Sequence, residues 1–168
     1  MKLYVMRHGP AQDAAESGAD GDRALSASGR ERVKNVAKTL LDEREAPQSI
    51  FTSPLVRSAQ TAEIVAIITS LGDRAGTVEV RREVAPGGSA VGLVRSLALE
   101  RKRRVMLVGH EPDLSALVST LLGEAMGPIE KAMVIGLHVP SEGGAGRLRF
   151  VLEPKALCVM WAPGASTG

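Results

Sequence analysis

An α/β fold, with a mostly parallel central sheet flanked by helices on both faces, is what this sequence predicts, and three observations predict it. Short uninterrupted apolar runs, such as residues 3–6 and 105–108, read as strands buried on both sides. Longer segments with apolar residues at helical spacing separate them, which is the pattern of βα crossovers. The chain of 168 residues is 44% hydrophobic and 24% charged. A chain of that size buries roughly 70% of its unfolded surface without a disulfide or metal staple.

The elements follow in order. Residues 3–6 are the first strand, and residues 9–25, rich in Gly, Asp and Ala, form a surface loop. A helix starts near Ser26 or Ser28. Ser28 and Glu31 have capping-box spacing, and Val33, Val36, Ala37, Leu40 and Leu41 make one apolar face. Residues 49–52 are a second strand. Ser53 and Pro54 then place an N-cap and a first-turn proline ahead of a helix reaching about Leu71. That helix is expected to bury Ala59, Ala62, Ile64, Val65 and Ile68. Residues 77–80 are a third strand, and Pro86-Gly87-Gly88-Ser89 turns into a helix with Val91, Val94, Leu97 and Ala98 on one side. Residues 105–108 are the next strand. Asp113 caps a helix carrying Leu114, Leu117, Val118, Leu121 and Leu122. Residues 133–139 and 148–152 read as two closing strands, joined as a hairpin through Gly143-Gly144-Ala145-Gly146. From Pro163 the tail is small and polar and is expected to fray. No repeat, linker or second domain interrupts residues 1–168, which read as one domain.

Composition excludes several function classes. Tyr4, Phe51, Phe150 and Trp161 are the whole aromatic set, too sparse for stacking platforms on single-stranded nucleic acid. The net charge is +2. The densest basic run, Arg101-Lys102-Arg103-Arg104, reads as a solvated helix end rather than a nucleic-acid patch. The single Cys158 excludes an internal disulfide framework and a cysteine zinc cage. It reads as a small hydrophobe. The N-terminus meets charge too early for a signal peptide, and no apolar stretch approaches the roughly 20 residues that span a bilayer. A cytoplasmic location and no membrane partner are expected. Without heptads or a long apolar edge, a monomer is the default.

Three segments place polar residues directly after a buried strand: Met6-Arg7-His8-Gly9, Thr52-Ser53-Pro54-Leu55-Val56-Arg57 and Val108-Gly109-His110-Glu111-Pro112. Ligand sites of open α/β sheets lie beyond the carboxyl ends of the strands. If the three strands are parallel neighbours, Arg7, His8, Arg57 and His110 converge on one rim. Two permanent cations around two imidazoles repel a metal ion but attract a dianion, and arginine matches phosphate oxygens bidentately. One neutral histidine would attack phosphorus in line while the other three groups hold the equatorial oxygens. The residues alone leave open which histidine attacks. No metal and no cofactor are expected. His138, in a strand between Leu137 and Val139, reads as structural. Ser53 caps a helix, and Gln60 and Thr61 brace it.

The same residues carry a family resemblance. Leu3-Tyr4-Val5-Met6-Arg7-His8-Gly9 resembles the opening signature of the histidine phosphatase superfamily, which includes phosphoglycerate mutases. Ser53-Pro54-Leu55-Val56-Arg57-Ser58-Ala59-Gln60-Thr61-Ala62 resembles its second signature. Val108-Gly109-His110-Glu111-Pro112-Asp113-Leu114-Ser115 resembles its third, in the form of the small phosphohistidine phosphatases of the SixA type. Leu25-Ser26-Ala27-Ser28-Gly29 resembles the helix start those proteins share. The likeness covers about residues 1–155 in order and spacing. It implies a phosphoglycerate mutase-like fold, His8 as the phosphorylated nucleophile, and Arg7, Arg57 and His110 as the rest of the phosphate pocket. It also implies a metal-free route through a phosphohistidine intermediate.

About 52 residues separate Arg57 from Gly109, too few for the long lid of larger family members. The pocket is therefore expected to be open and to admit a phosphorylated side chain from another protein, such as a histidine-phosphotransfer domain. A small phosphomonoester is the alternative substrate, and a non-catalytic phosphate-binding module the third reading. The general acid has two candidates. Glu83 resembles the position used by mutase-like members, and Glu111 the one used by the acid phosphatase branch. An exposed partner of Arg81 or Arg82 is the plain alternative for Glu83. For Glu111 it is a helix N-terminal residue favoured by the dipole.

Overall fold

The apolar runs enter one sheet. In the computed structural model, which describes residues 1–142 and 145–165, four helices alternate with the first four of seven strands and the last three strands follow one another. The strands are β1 (Lys2–Arg7), β2 (Ser49–Thr52), β3 (Thr77–Val80), β4 (Arg104–Gly109), β5 (Val134–His138), β6 (Arg147–Glu153) and β7 (Cys158–Trp161). The helices are α1 (Ala27–Asp42), α2 (Val56–Ile68), α3 (Ala90–Leu99) and α4 (Asp113–Leu122). The spatial order is β3-β2-β4-β1-β5-β6-β7. The β3-β2-β4-β1 half is parallel, as expected where helices make the crossovers. β5, β6 and β7 add antiparallel strands beside β1. The hairpin expected between β5 and β6 is present, although Gly143 and Gly144 lie outside the described residues.

β1 and β4 explain why the strands lack polar alternation. Leu3, Val5, Val105 and Leu107 join α3 and α4 in one core; Tyr4, Met6, Met106 and Val108 join α1 and α2 in the other. All eight strand residues are fully buried, because a parallel sheet covered on both faces has no solvent side.

Several boundaries differ from the sequence reading. The N-cap of α1 is Ser26, whose Oγ accepts from Gly29 N at 3.0 Å, so Ser28 and Glu31 do not form the capping box. Leu41 is 44% exposed and lies off the apolar face. α2 ends at Ile68, has Leu55 rather than Ser53 at its N-cap, and buries Arg57, Ser58, Thr61, Ala62 and Val65. Ala59, Ile64 and Ile68 are only half-buried. The polar members of that buried set face the rim, not the core. Asp113 is the first residue of α4, and its carboxylate accepts from Gly87 N at 2.9 Å, tying the turn before α3 to α4. β7 escapes the sequence reading because it is an edge strand alternating exposed and half-buried residues. Its Trp161 covers Phe150, with ring centroids 5.0 Å apart. Cys158 is exposed there, not a core filler. Beyond Pro163, Ala165 N still donates to Ala162 O at 3.0 Å; the rest of the expected frayed tail lies outside the described residues.

Candidate active site

Strand register brings the three segments together. β4 lies between β1 and β2; Met6 and Thr52 both pair with Val108, and Arg7 pairs with Gly109. The next residues therefore leave the sheet at one level. His8 N donates to Gly109 O and Ser53 N to Val108 O, each at 3.1 Å. β1 and β2 run on into helices over one face, whereas β4 runs into α4 over the other. Neighbouring strands whose connections diverge leave a crevice at their carboxyl ends. His8 follows Tyr4 and Met6 in the alternation and points to the α2 side.

His8 is 5% exposed. Its Nδ1 lies 2.7 Å from the Gly9 carbonyl. A carbonyl only accepts, so Nδ1 carries the ring proton and Nε2 keeps its lone pair. Arg57 Nε donates to that lone pair at 3.3 Å. Burial, then the charges of His110, Arg57 and Arg7, push the His8 pKa down to about 3, against a raising effect of the Gly9 bond. The imidazole is thus neutral at physiological pH. Gly9 is required by packing: a Cβ there would lie 2.6 Å from Val33 Cγ2. Its N–H donates to Thr61 Oγ1 at 3.1 Å, and that hydroxyl donates to the Arg57 carbonyl at 2.7 Å. Gln60 Oε1 accepts from Leu25 N at 2.8 Å. Gln60 and Thr61 therefore brace the strand end and the loop rather than the helix alone.

Arg57 is 6% exposed and sits in the first turn of α2, where the helix dipole disfavours a cation. Acceptors offset that cost. Besides His8, Nη1 donates to the Asp20 carbonyl at 2.7 Å and Nη2 to its carboxylate at 3.0 Å. His110 is 4% exposed, and its ring centroid lies 5.1 Å from that of His8. Its Nε2 is 2.8 Å from Ser53 Oγ and 3.2 Å from Ser58 Oγ. Burial first, then the charge of Arg57, lower its pKa to about 4. Arg7 donates from Nη1 to the Ile129 carbonyl at 2.9 Å, while its buried Nε has no partner among the described residues. The Arg7 charge depresses both histidines, so the guanidinium belongs to the same field.

Both acid candidates lie near this rim but outside the cluster. Glu83 is half-buried in a 3-10 turn, Arg82–Val84, whose Val84 packs against Gly109. It bonds none of the four cluster residues, and Arg81 pairs with Glu79 at 2.9 Å instead. Glu111 Oε1 accepts from Ser115 N at 3.1 Å, the helix-terminus role. His138, at the end of β5, is half-buried and away from this crevice. The sequence reading missed Asp20 and the bonds of Ser53 and Ser58 to His110. Ser58 and Thr61 carried one usable signal: they lie beside Arg57 and one turn beyond it, on its face of α2.

The described groups can hold a tetrahedral dianion with two guanidiniums while a neutral imidazole nitrogen faces it. Residues 3–84 match the profile of the histidine phosphatase superfamily (branch 1). An uncharacterised protein of Picosynechococcus is 37% identical over 157 residues, covering 89% of each chain. The chain belongs to the histidine phosphatase superfamily. The phosphohistidine phosphatase SixA of Escherichia coli is 28% identical over 158 residues, 92% of this phosphatase and 94% of its relative. The structure of a protein histidine phosphatase SixA complexed with tungstate superposes with a TM-score of 0.85 at 25% identity, covering 94% of this chain and all of the other. The phosphatase accordingly has the mixed α/β fold of its relatives. Among its described residues no helix is long and apolar enough to cross a membrane.

Proposed function

We propose that this phosphatase removes the phosphoryl group from phosphohistidine on another protein, in the cytoplasm and as a monomer, through a covalent intermediate on His8. The observation that carries the reading is the fixed tautomer of His8, a buried neutral ring with its Nε2 lone pair beside the Arg57 guanidinium. In the first step Nε2 bonds to phosphorus. The bond from phosphorus to the substrate nitrogen breaks, and its electron pair leaves with the substrate imidazole. In the second step water attacks, the bond to Nε2 breaks with its electron pair returning to the ring, and both water protons leave with phosphate. Arg7, Arg57 and His110 hold the oxygens as charge spreads. The fixed positive charge of Arg7 and Arg57 does the work a metal would otherwise do. Chelators should therefore leave activity intact.

A protein substrate is favoured by what lies between Arg57 and Gly109. The chain there forms only the rest of α2, β3, α3, short turns and β4, with no insertion to close over a small molecule. The leaving group also fits. Imidazole, with a pKa of about 6.5, departs with little help, and no carboxylate among the described residues bonds His8 or His110. Glu83 accordingly lines the rim as a modest contributor to turnover. The deciding experiment compares kcat/KM for a phosphorylated histidine-phosphotransfer domain, an aryl phosphate and a panel of sugar phosphates. The phosphoprotein is expected to be the best substrate. A sugar phosphate that outperforms it would make the protein a small-molecule phosphomonoesterase, and no turnover at all would make it a phosphate-binding module.

A further inference from the structure

The Arg57 guanidinium already grips an anion. Its Nη2 donates to the Asp20 carboxylate and its Nη1 to the Asp20 backbone carbonyl, so donors with which an arginine takes a carboxylate or phosphate are engaged by the chain itself. Nε faces His8. Asp20 is lightly anchored. Its side chain is 69% exposed, and its 3-10 turn, Asp20–Asp22, contains no buried residue. A second cation waits beside it. Arg23 Nε lies 3.2 Å from Asp20 Oδ1, an ion pair without the alignment of a hydrogen bond. A cavity of about 180 Å³ runs along the same segment, with Asp13, Gly18, Asp20 and Arg23 among its walls. The carboxylate thus has room to move and a cation to move to, and no buried side chain has to follow it.

We infer that Asp20 is an internal competitor for the phosphate seat: phosphoryl oxygens take Arg57 only as the Asp20 carboxylate leaves it, and Arg23 keeps the displaced carboxylate at the rim. The inference rests on reading Arg57 as a phosphate-binding residue. Its consequence is quantitative. Apparent affinity for any oxyanion falls by the fraction of time the carboxylate holds Arg57. The same carboxylate favours release of product phosphate, because it takes over the donors that phosphate gives up. A residue that merely aimed Arg57 would act with the opposite sign, weakening anion binding when removed.

Isothermal titration of inorganic phosphate into the wild type, Asp20→Asn and Asp20→Ala separates the two. Thermal unfolding confirms that the variants are folded, as expected for an exposed turn. Both should bind phosphate roughly fivefold tighter, the scale of one partly solvated carboxylate–guanidinium pair. In turnover KM should fall by the same factor while kcat changes less. In an Arg57→Ala background, Asp20→Ala should change nothing. Unchanged or weaker phosphate binding in both Asp20 variants overturns the inference. So does an equal gain in the Arg57→Ala background, which would mark a general charge effect. The titration needs no turnover. A wild type that binds phosphate but hydrolyses nothing overturns the phosphatase reading alone.

Discussion

At the two ends of β1 the chain buries charge in opposite ways. At the start, Glu45 is fully buried and every oxygen is met. Arg149 Nη1 and Nη2 each donate at 2.8 Å, Tyr4 Oη at 2.7 Å and Lys2 Nζ at 3.1 Å. Arg149 also lies over Trp161, 5.7 Å from its ring centroid. Burial alone would raise the Glu45 carboxyl, but the bonds from Arg149, Tyr4 and Lys2 hold it down at about 2. At the other end, two guanidiniums and two imidazoles share one exposed carboxylate, that of Asp20. One cluster has its charge answered inside the fold and is structural. The other keeps excess positive charge and a neutral His8 whose Nε2 is met only by Arg57, charge that an anion from outside would balance. Burying charge is costly in both places; what differs is whether the fold or the ligand supplies the counter-charge.

The largest expected effect breaks the second cluster. His8→Ala should lower turnover by on the order of 10⁴ with little change in melting temperature. Rapid quench of the wild type should trap an acid-labile, base-stable adduct on His8. Label found on Ser or Cys, or retained in the variant, would refute the assignment. The next pair of substitutions sets the two ends directly against each other. Glu45→Gln strands a buried Arg149 and should cost about 3–5 kcal/mol in denaturant unfolding while leaving kcat unchanged. Arg57→Ala should do the reverse, losing on the order of 10² in rate with a melting temperature that barely moves. If Arg57→Ala unfolds the protein, the contrast fails.

A smaller effect separates the clusters by pH. His8 and His110 ordinarily titrate near 6.5. In the fold they refuse a proton until about pH 3 and 4, so the unfolded chain binds protons that the native one does not. Stability should fall as pH drops from 6.5 toward 4, by about 2 kcal/mol per histidine at pH 5. Glu45 acts in a lower window: its contribution is complete above 4.5 and lost as pH falls toward 2. Denaturant titrations across this range should show both limbs, and His8→Asn should roughly halve the upper one while leaving the lower one unchanged. The smallest effect concerns the rim. Glu83→Gln should slow an alkyl phosphate a few-fold more than an aryl phosphate or phosphohistidine, and Glu111→Gln should alter all of them little. A larger, leaving-group-dependent loss in Glu111→Gln would move the acid to Glu111.

The strands of the parallel half, the helices between them, and the four residues that the fold gathers at one rim were legible in the sequence. Each of those is a local pattern: an apolar run followed within a few positions by Arg7-His8-Gly9, Arg57 or Gly109-His110. Its meaning depends only on strands ending where the run ends. Tertiary structure decided the rest. Asp20 lies in a loop with no periodicity, and its contact with Arg57 spans 37 positions. Glu45 meets Arg149 across 104 positions and Tyr4 across 41. Ser53 reads as a helix cap from its neighbours, yet its hydroxyl meets His110 because β4 inserts between β2 and β1. Local spacing encodes which face a residue occupies; strand order, set by how the whole chain covers its apolar surface, decides which distant charge it meets there.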